Sequence, residues 1–286
     1  MTIVDHDGAE LRDVTGPSPL GGGWRRALDL LLVMSTTDFK RTYFGTALGY
    51  VWSIARPLLL FAVLLTVFTK ITRLGAGVYM YPELLLLNIV LFGFFQDGAG
   101  IALPSVVVHE AVVRKTQFPR LVIPLSVVLT SLFNLALNLV VVLVFVLVAG
   151  VTPHWTWLLL PLVIVPLLAV LTTAAAMILS SLYPRFRDLG IIWTVFSTAL
   201  FYGTPVIYTL GGTRVSHHLQ SIVAINPLAP IFVLARRWVI DPRAPSPAAV
   251  SGGGARLLIP VGIYLVICAA AVWIFNREAP RVAEAL

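Results

Sequence analysis

Cysteine, lysine and acidic side chains are what this sequence has least of. Its 286 residues include one cysteine, Cys268, three lysines, Lys40, Lys70 and Lys115, and 13 Asp and Glu together. A single cysteine inside an apolar run excludes a disulfide framework or a cysteine-based metal cluster within one chain, and reads as a small buried hydrophobe. No lysine follows a glycine, so there is no GxxxxGK[ST] phosphate loop and no route to nucleotide hydrolysis through one. Charged residues make up only 12% of the chain, against roughly 25% in an ordinary soluble domain. What is abundant is hydrocarbon: 58% of residues are hydrophobic and the mean hydropathy is +0.93. A soluble core cannot hide so much apolar surface, so the solvent is lipid. At about 20 residues per crossing the length allows about six spans and leaves no room for a large soluble domain.

Residues 1–23 are polar and rich in Gly and Pro, without the apolar region and cleavage site of a secretory signal, and read as a disordered cytoplasmic tail. Residues 24–47 hold an amphipathic stretch, WRRALDLLLVM, suited to a helix in the headgroup region, and an entrance segment. The transmembrane domain covers 48–275, and 276–286 form a C-terminal cytoplasmic tail. Spans are expected at about 48–69, 84–108, 121–149, 157–182, 189–208 and 257–275. The run QDGAG at 96–100 predicts a broken or kinked second span. Pro161 and Pro166 predict a bend in the fourth. The connection 209–255 carries NPLAPIFVLARRWVI, too short to cross and therefore re-entrant or interfacial. Counting Lys and Arg outside the spans gives 12 on the side of the N-terminus and 7 opposite, five of those in the long connection. Both termini are thus expected in the cytoplasm. The expected fold is an all-α integral membrane protein with six transmembrane helices, an N-terminal interface helix and re-entrant helices before the last span.

Catalytic chemistry is hard to find. There is no HExxH, and no pair of carboxylates suited to acid/base work. His109 and Glu110 lack zinc spacing, and the adjacent His217 and His218 read as a solvated pair. No metal site and no cofactor of its own is expected. Asp97 is the one acid well inside an expected span. A carboxylate there costs about 2.5–3.5 kcal/mol on insertion scales, so it must be neutralised, paired or in water. Arg56, inside the first span, must snorkel or face protein. The segment HEAVVRKTQFPR, 109–120, is short, charged and closed by Pro119. It reads as a docking surface for a soluble partner or as a positive-inside loop.

Four blocks in this order resemble the permease subunits of type-2 ABC exporters, especially those moving lipid-linked polysaccharides such as O-antigen, teichoic acid and mycobacterial galactan. DFKRTYFGTALGYVWSIARPLL is similar to the family's entrance through Lys40, Tyr43, Leu48, Gly49, Trp52 and Pro57. RKTQFPRLVIPLS resembles its cytoplasmic segment through Arg114, Lys115, Phe118, Pro119, Arg120, Pro124 and Ser126. YPRFRDLGIIWTVFSTALFYGTPVIY carries Arg187, Asp188, Gly190, Thr204, Pro205 and Tyr208, and NPLAP carries Asn226, Pro227, Leu228 and Pro230. Phe44 and Gly45 where the family is more basic, and Arg56 before the proline, are departures.

The resemblance implies a homodimeric channel in a bacterial inner membrane. Each copy would be bound to one of two nucleotide-binding ATPase subunits, which supply ATP and Mg2+ binding. It implies ATPase coupling through His109, Glu110, Arg114, Lys115, Phe118, Pro119, Arg120, Arg187 and Asp188. A diphosphate headgroup needs positive charge, which Arg25, Arg26, Lys40 and Arg41, beside Tyr43, could supply; the same residues also suit anionic lipid. A sugar polymer needs flat aromatic faces, for which the candidates are Phe92, Phe94, Phe95, Trp193, Phe196, Phe201, Tyr202 and Tyr208. Asn226, Pro227 and Pro230 are candidates for an external gate. Preference for Arg over Lys and abundant Ala and Val point to a high-GC source and a galactan-type cargo. The alternatives are a membrane enzyme acting on polyprenyl-linked sugar, a proton-coupled carrier using Asp97, and a multidrug exporter of the same fold.

Overall fold

The computed structural model describes residues 23–43, 49, 51–71, 75, 77–109, 120–211 and 216–285, and among these there are helices and no strand. Helix α1 (Gly23–Tyr43) precedes α2 (Val51–Thr66), which a π-helical turn (Val67–Ile71) extends. Then come α3 (Tyr81–Ala102), the single turn α4 (Ser105–Val108) and α5 (Val122–Val148). Helix α6 (Val165–Leu182) is preceded by a 3-10 turn (Trp155–Leu158) and a π turn (Leu160–Ile164). These irregular turns hold or adjoin Pro161 and Pro166, the expected site of a bend, each of which removes a backbone donor. Helix α7 is Leu189–Tyr202 and α8 is His217–Val223. Helix α9 (Ala229–Ala235) runs into a π turn (Arg236–Ile240), followed by α10 (Pro247–Val250) and α11 (Gly254–Ala285).

Five helical stretches are long and apolar enough to cross a bilayer: Val51–Ile71, Tyr81–Ala102, Val122–Val148, Trp155–Leu182 and Gly254–Glu278. These make the chain a multi-pass membrane protein. The remaining apolar helix, α7, has 14 residues and stops at Tyr202, short of the 189–208 expected for it. Gly203 N–H still bonds the Ala199 carbonyl at 2.8 Å, and Pro205 has no N–H with which to extend the ladder.

Helix α3 is the hub. Every residue from Leu84 to Phe92 is buried, the signature of a helix surrounded by others. It packs on α2, α5, α6 and α7, while α11 packs on α6 and α1 on α5. Contrary to the break expected at QDGAG, α3 runs unbroken through 96–100 and yields only at Leu103 and Pro104. The glycines serve close approach. A Cβ on Gly98 would meet Cγ2 of Thr172 on α6 at 2.6 Å, and one on Gly100 would meet the indole Nε1 of Trp193 on α7 at 3.0 Å. Glycine costs about 1 kcal/mol in a helix interior, which tertiary packing readily offsets. The N-terminal helix is longer than its amphipathic core. It docks on α5 through an edge-to-face contact of Phe39 with Phe133, at 5.7 Å, and a hydrogen bond donated by Thr130 Oγ1 to the Ser35 carbonyl, at 3.1 Å.

Candidate translocation cavity and the cap segment

A cavity of about 460 Å3 lies between α2, α3 and α5, with Phe201 of α7 at its wall. Helix geometry explains its polar lining. Ser131, Asn134 and Asn138 recur at i, i+3 and i+7 along the otherwise apolar α5 and so fall on one face. Trp52, Ser53 and Arg56 fall within about one turn at the start of α2, and Gln96 and Asp97 come from α3. Arg56 Nη1 and Asp97 Oδ2 are 3.7 Å apart, so the acid inside the span has a cation for a partner. The two side chains are 79% and 45% exposed on the isolated chain. Charges so placed on apolar helices need water or another protein surface over them, since hydrocarbon would penalise both. Gln96 Nε2 donates to Ser197 Oγ of α7 at 3.5 Å, and Asn138 Nδ2 to the Asn134 carbonyl at 2.9 Å.

The expected aromatic face divides. Phe92, Phe94 and Phe201 line the cavity. Phe95 and Trp193 do not line it and make a tilted ring contact at 6.0 Å, and Phe196 continues the series from Trp193 at 6.0 Å. Phe196 and Tyr202 are exposed on α7. Tyr208 lies beyond α7, where its hydroxyl donates to the Tyr202 carbonyl at 3.0 Å. The cavity residues Trp52, Ser53, Arg56, Gln96, Ser131, Asn134 and Asn138 were absent from the sequence-based candidates. The recurrence of Ser131, Asn134 and Asn138 within an apolar helix was the signal that could have found three of them.

Residues 203–211 and 216–240, the cap segment, pack along the first half of α3, and buried side chains satisfy the backbone that leaves helical form. Asn88 Nδ2 donates to the carbonyls of Pro205 and Val206, both at 3.1 Å, and Tyr81 Oη to that of Ile207 at 2.8 Å. Asn226 pins the two halves of the segment together. Its Nδ2 donates to the Gly203 carbonyl at 3.1 Å and to Thr204 Oγ1 at 2.8 Å, while its Oδ1 accepts from the Leu228 N–H at 2.9 Å. The apolar run after it forms α9, whose Ile231, Phe232 and Val233 are buried, Phe232 lying 6.5 Å from Phe92. Pro227 and Pro230 are partly buried beside it. Arg236 Nη2 bonds Asp241 Oδ2 at 3.3 Å.

Of the residues expected to couple to a partner, Glu110, Arg114, Lys115, Phe118 and Pro119 lie outside the described residues. His109 ends α4, its Nδ1 2.9 Å from the Ser105 carbonyl, and Arg120 begins the approach to α5. Arg187 and Asp188 are exposed in the turn between α6 and α7. Lys40 and Arg41 are exposed in the last turn of α1, where cations complement the helix dipole. Arg25 and Arg26 fall in its first turn and Tyr43 ends it. Among the described residues no cluster of three metal-ligating side chains occurs.

A multi-pass helical bundle with a polar, aromatic-walled cavity between three of its helices is an architecture suited to membrane translocation, and the sequence belongs with it. The ABC-2 type transporter membrane family matches residues 29–238, and the chain belongs to that family. It is similar to an O-antigen export system permease protein, RfbA, of Klebsiella pneumoniae, with 29% identity over 259 residues, 90% of this chain and 95% of the relative. A protein of the same name from Myxococcus xanthus is 26% identical over 249 residues, 87% of this chain and 93% of the relative.

Proposed function

We propose that this chain is the channel-forming subunit of an ATP-driven exporter that carries a polyprenyl-diphosphate-linked polysaccharide, O-antigen-like or galactan, across a bacterial inner membrane. The observation that carries this reading is the cavity. Amide, hydroxyl and aromatic groups together suit a sugar, which offers both hydroxyls and flat C–H faces. The exposed Arg56–Asp97 pair argues that this wall faces water or a second copy. Two copies then enclose one path, and two ATPase subunits holding ATP and Mg2+ drive it from the cytoplasmic side.

On this reading α7 and residues 203–211 together complete a sixth crossing, both termini are cytoplasmic, and α9 is re-entrant. Segment 109–120 with Arg187 and Asp188 receives the ATPase, Lys40, Arg41 and their neighbours on α1 meet the diphosphate, and Asn226, Pro227 and Pro230 belong to the external gate. The deciding experiment reconstitutes the chain with its ATPase partner and adds polyprenyl-diphosphate glycans. Raised ATP hydrolysis with glycan appearing in the far compartment is expected. Stimulation by small amphipathic drugs alone, or turnover of lipid-linked sugar by this chain without a partner, overturns the proposal.

A further inference from the structure

Helix α3 presents to the cap segment one stripe, Tyr81, Leu84, Asn88 and Phe92, at the i, i+3, i+7, i+11 spacing of a helix face. Tyr81 and Asn88 hold the cap directly through the three carbonyls already described. Two buried polar atoms at this junction have no hydrogen-bond partner among the described residues: Asn88 Oδ1 and Arg236 Nε. Asn88 is 2% exposed, and its two donated bonds fix which side-chain atom is the oxygen. Both residues line the same small cavity, about 10 Å3, with Leu84, Pro205, Tyr208 and Phe232 among its walls. One buried acceptor and one buried donor thus belong to residues that border a space about the size of one water centre.

We propose that a single water molecule is a fixed component of this junction, accepting from Arg236 Nε–H and donating to Asn88 Oδ1, so that the cap segment is fastened to α3 through it. Chemistry selects the occupant. The guanidinium disfavours a cation, the amide oxygen in the same wall disfavours an anion, and the volume excludes a larger molecule. A water with partners on two elements ties them nearly as well as a direct hydrogen bond. The bond from Arg236 Nη2 to Asp241 restrains the guanidinium and leaves Nε free for the water. The inference stands whether or not the cargo is a glycan.

The test uses the full chain in lipid nanodiscs. A map at a resolution that shows waters is expected to hold one peak about 2.7–3.2 Å from both atoms. A direct Nε to Oδ1 bond, or a junction without such a peak, overturns the proposal. Arg236→Lys keeps a cation for Asp241 and deletes Nε. It is expected to lose the peak and to speed amide hydrogen exchange across 203–211 by about tenfold, with α6 unchanged as the folding control. Exchange equal to wild type removes the fastening role. Should that variant not fold, radiolytic labelling of the wild-type chain after dilution into heavy-oxygen water decides. Slow label exchange at Tyr208 supports a bound water, and exchange as fast as at exposed Tyr202 refutes it.

Discussion

Arg56 Nη1 stands 3.7 Å from Asp97 Oδ2 across the wall between α2 and α3, within ion-pair range but too far for a hydrogen bond. Its two charges are exposed on helices otherwise built for lipid, so each stabilises the other where neither is tolerated alone. Asp97→Asn is expected to lower export about fivefold, the equivalent of roughly 1 kcal/mol for an exposed pair. The exchange of both residues, Arg56→Asp with Asp97→Arg, is expected to recover most of it. Measuring export in cells at matched membrane levels checks this. Loss of export in both the single variant and the exchange would favour a proton relay.

Gly98 sets the distance between α3 and α6. Gly98→Ala gains about 1 kcal/mol of helix propensity but drives a methyl onto Thr172 Cγ2, and overpacking of this kind costs about 1–3 kcal/mol. Net destabilisation is expected, read as a lower Tm in detergent. Thr172→Ser removes the obstructing methyl while keeping a hydroxyl for the Leu168 carbonyl. In that background Gly98→Ala should be neutral or stabilising.

Asn226 joins the start of the cap segment to α9, so its truncation exposes several groups at once. Asn226→Ala leaves the Leu228 N–H, the Gly203 carbonyl and Thr204 Oγ1 without this partner, at about 1–3 kcal/mol for a buried group left unmade. Asn226→Asp keeps the bond to Leu228 and loses the two donated ones. Thermal unfolding should therefore rank wild type above Asp above Ala; equal loss from both variants would assign the whole effect to the donated bonds.

The proposed topology and coupling are open to a direct check. With Cys268 replaced by Ser, a cysteine at exposed Ser216 or Pro242 should be labelled by an impermeant maleimide from outside, and one at Arg187 only after permeabilisation. Reversing the charges of Glu110 and Arg114 should leave insertion intact and uncouple ATP hydrolysis from export. Normal export in that variant removes 109–120 from the coupling surface.

Hydrophobic run length made the long helices legible, because a bilayer imposes that length on any sequence. The stretches 121–149 and 157–182 were expected within two residues of the helices found. Two local features were misread for one reason. Glycine in QDGAG looked like a break because its tertiary partner, Thr172, is remote in sequence. The fifth apolar stretch looked continuous to Tyr208 because nothing local reveals that Tyr81 and Asn88 stand ready to satisfy an unwound backbone. The cavity was half visible. Its aromatic candidates included Phe92, Phe94 and Phe201, while its polar wall depends on which face of α5 turns inward.

That same face bears on α1. Thr130 and Phe133 hold α1, and Ser131 and Asn134, their immediate neighbours on α5, line the cavity. The two sets occupy adjoining faces of the same turns, Thr130 and Asn134 standing one turn apart at i and i+4. The N-terminal helix is thereby the buttress behind the polar wall, bearing on α5 from the flank that the cavity leaves covered.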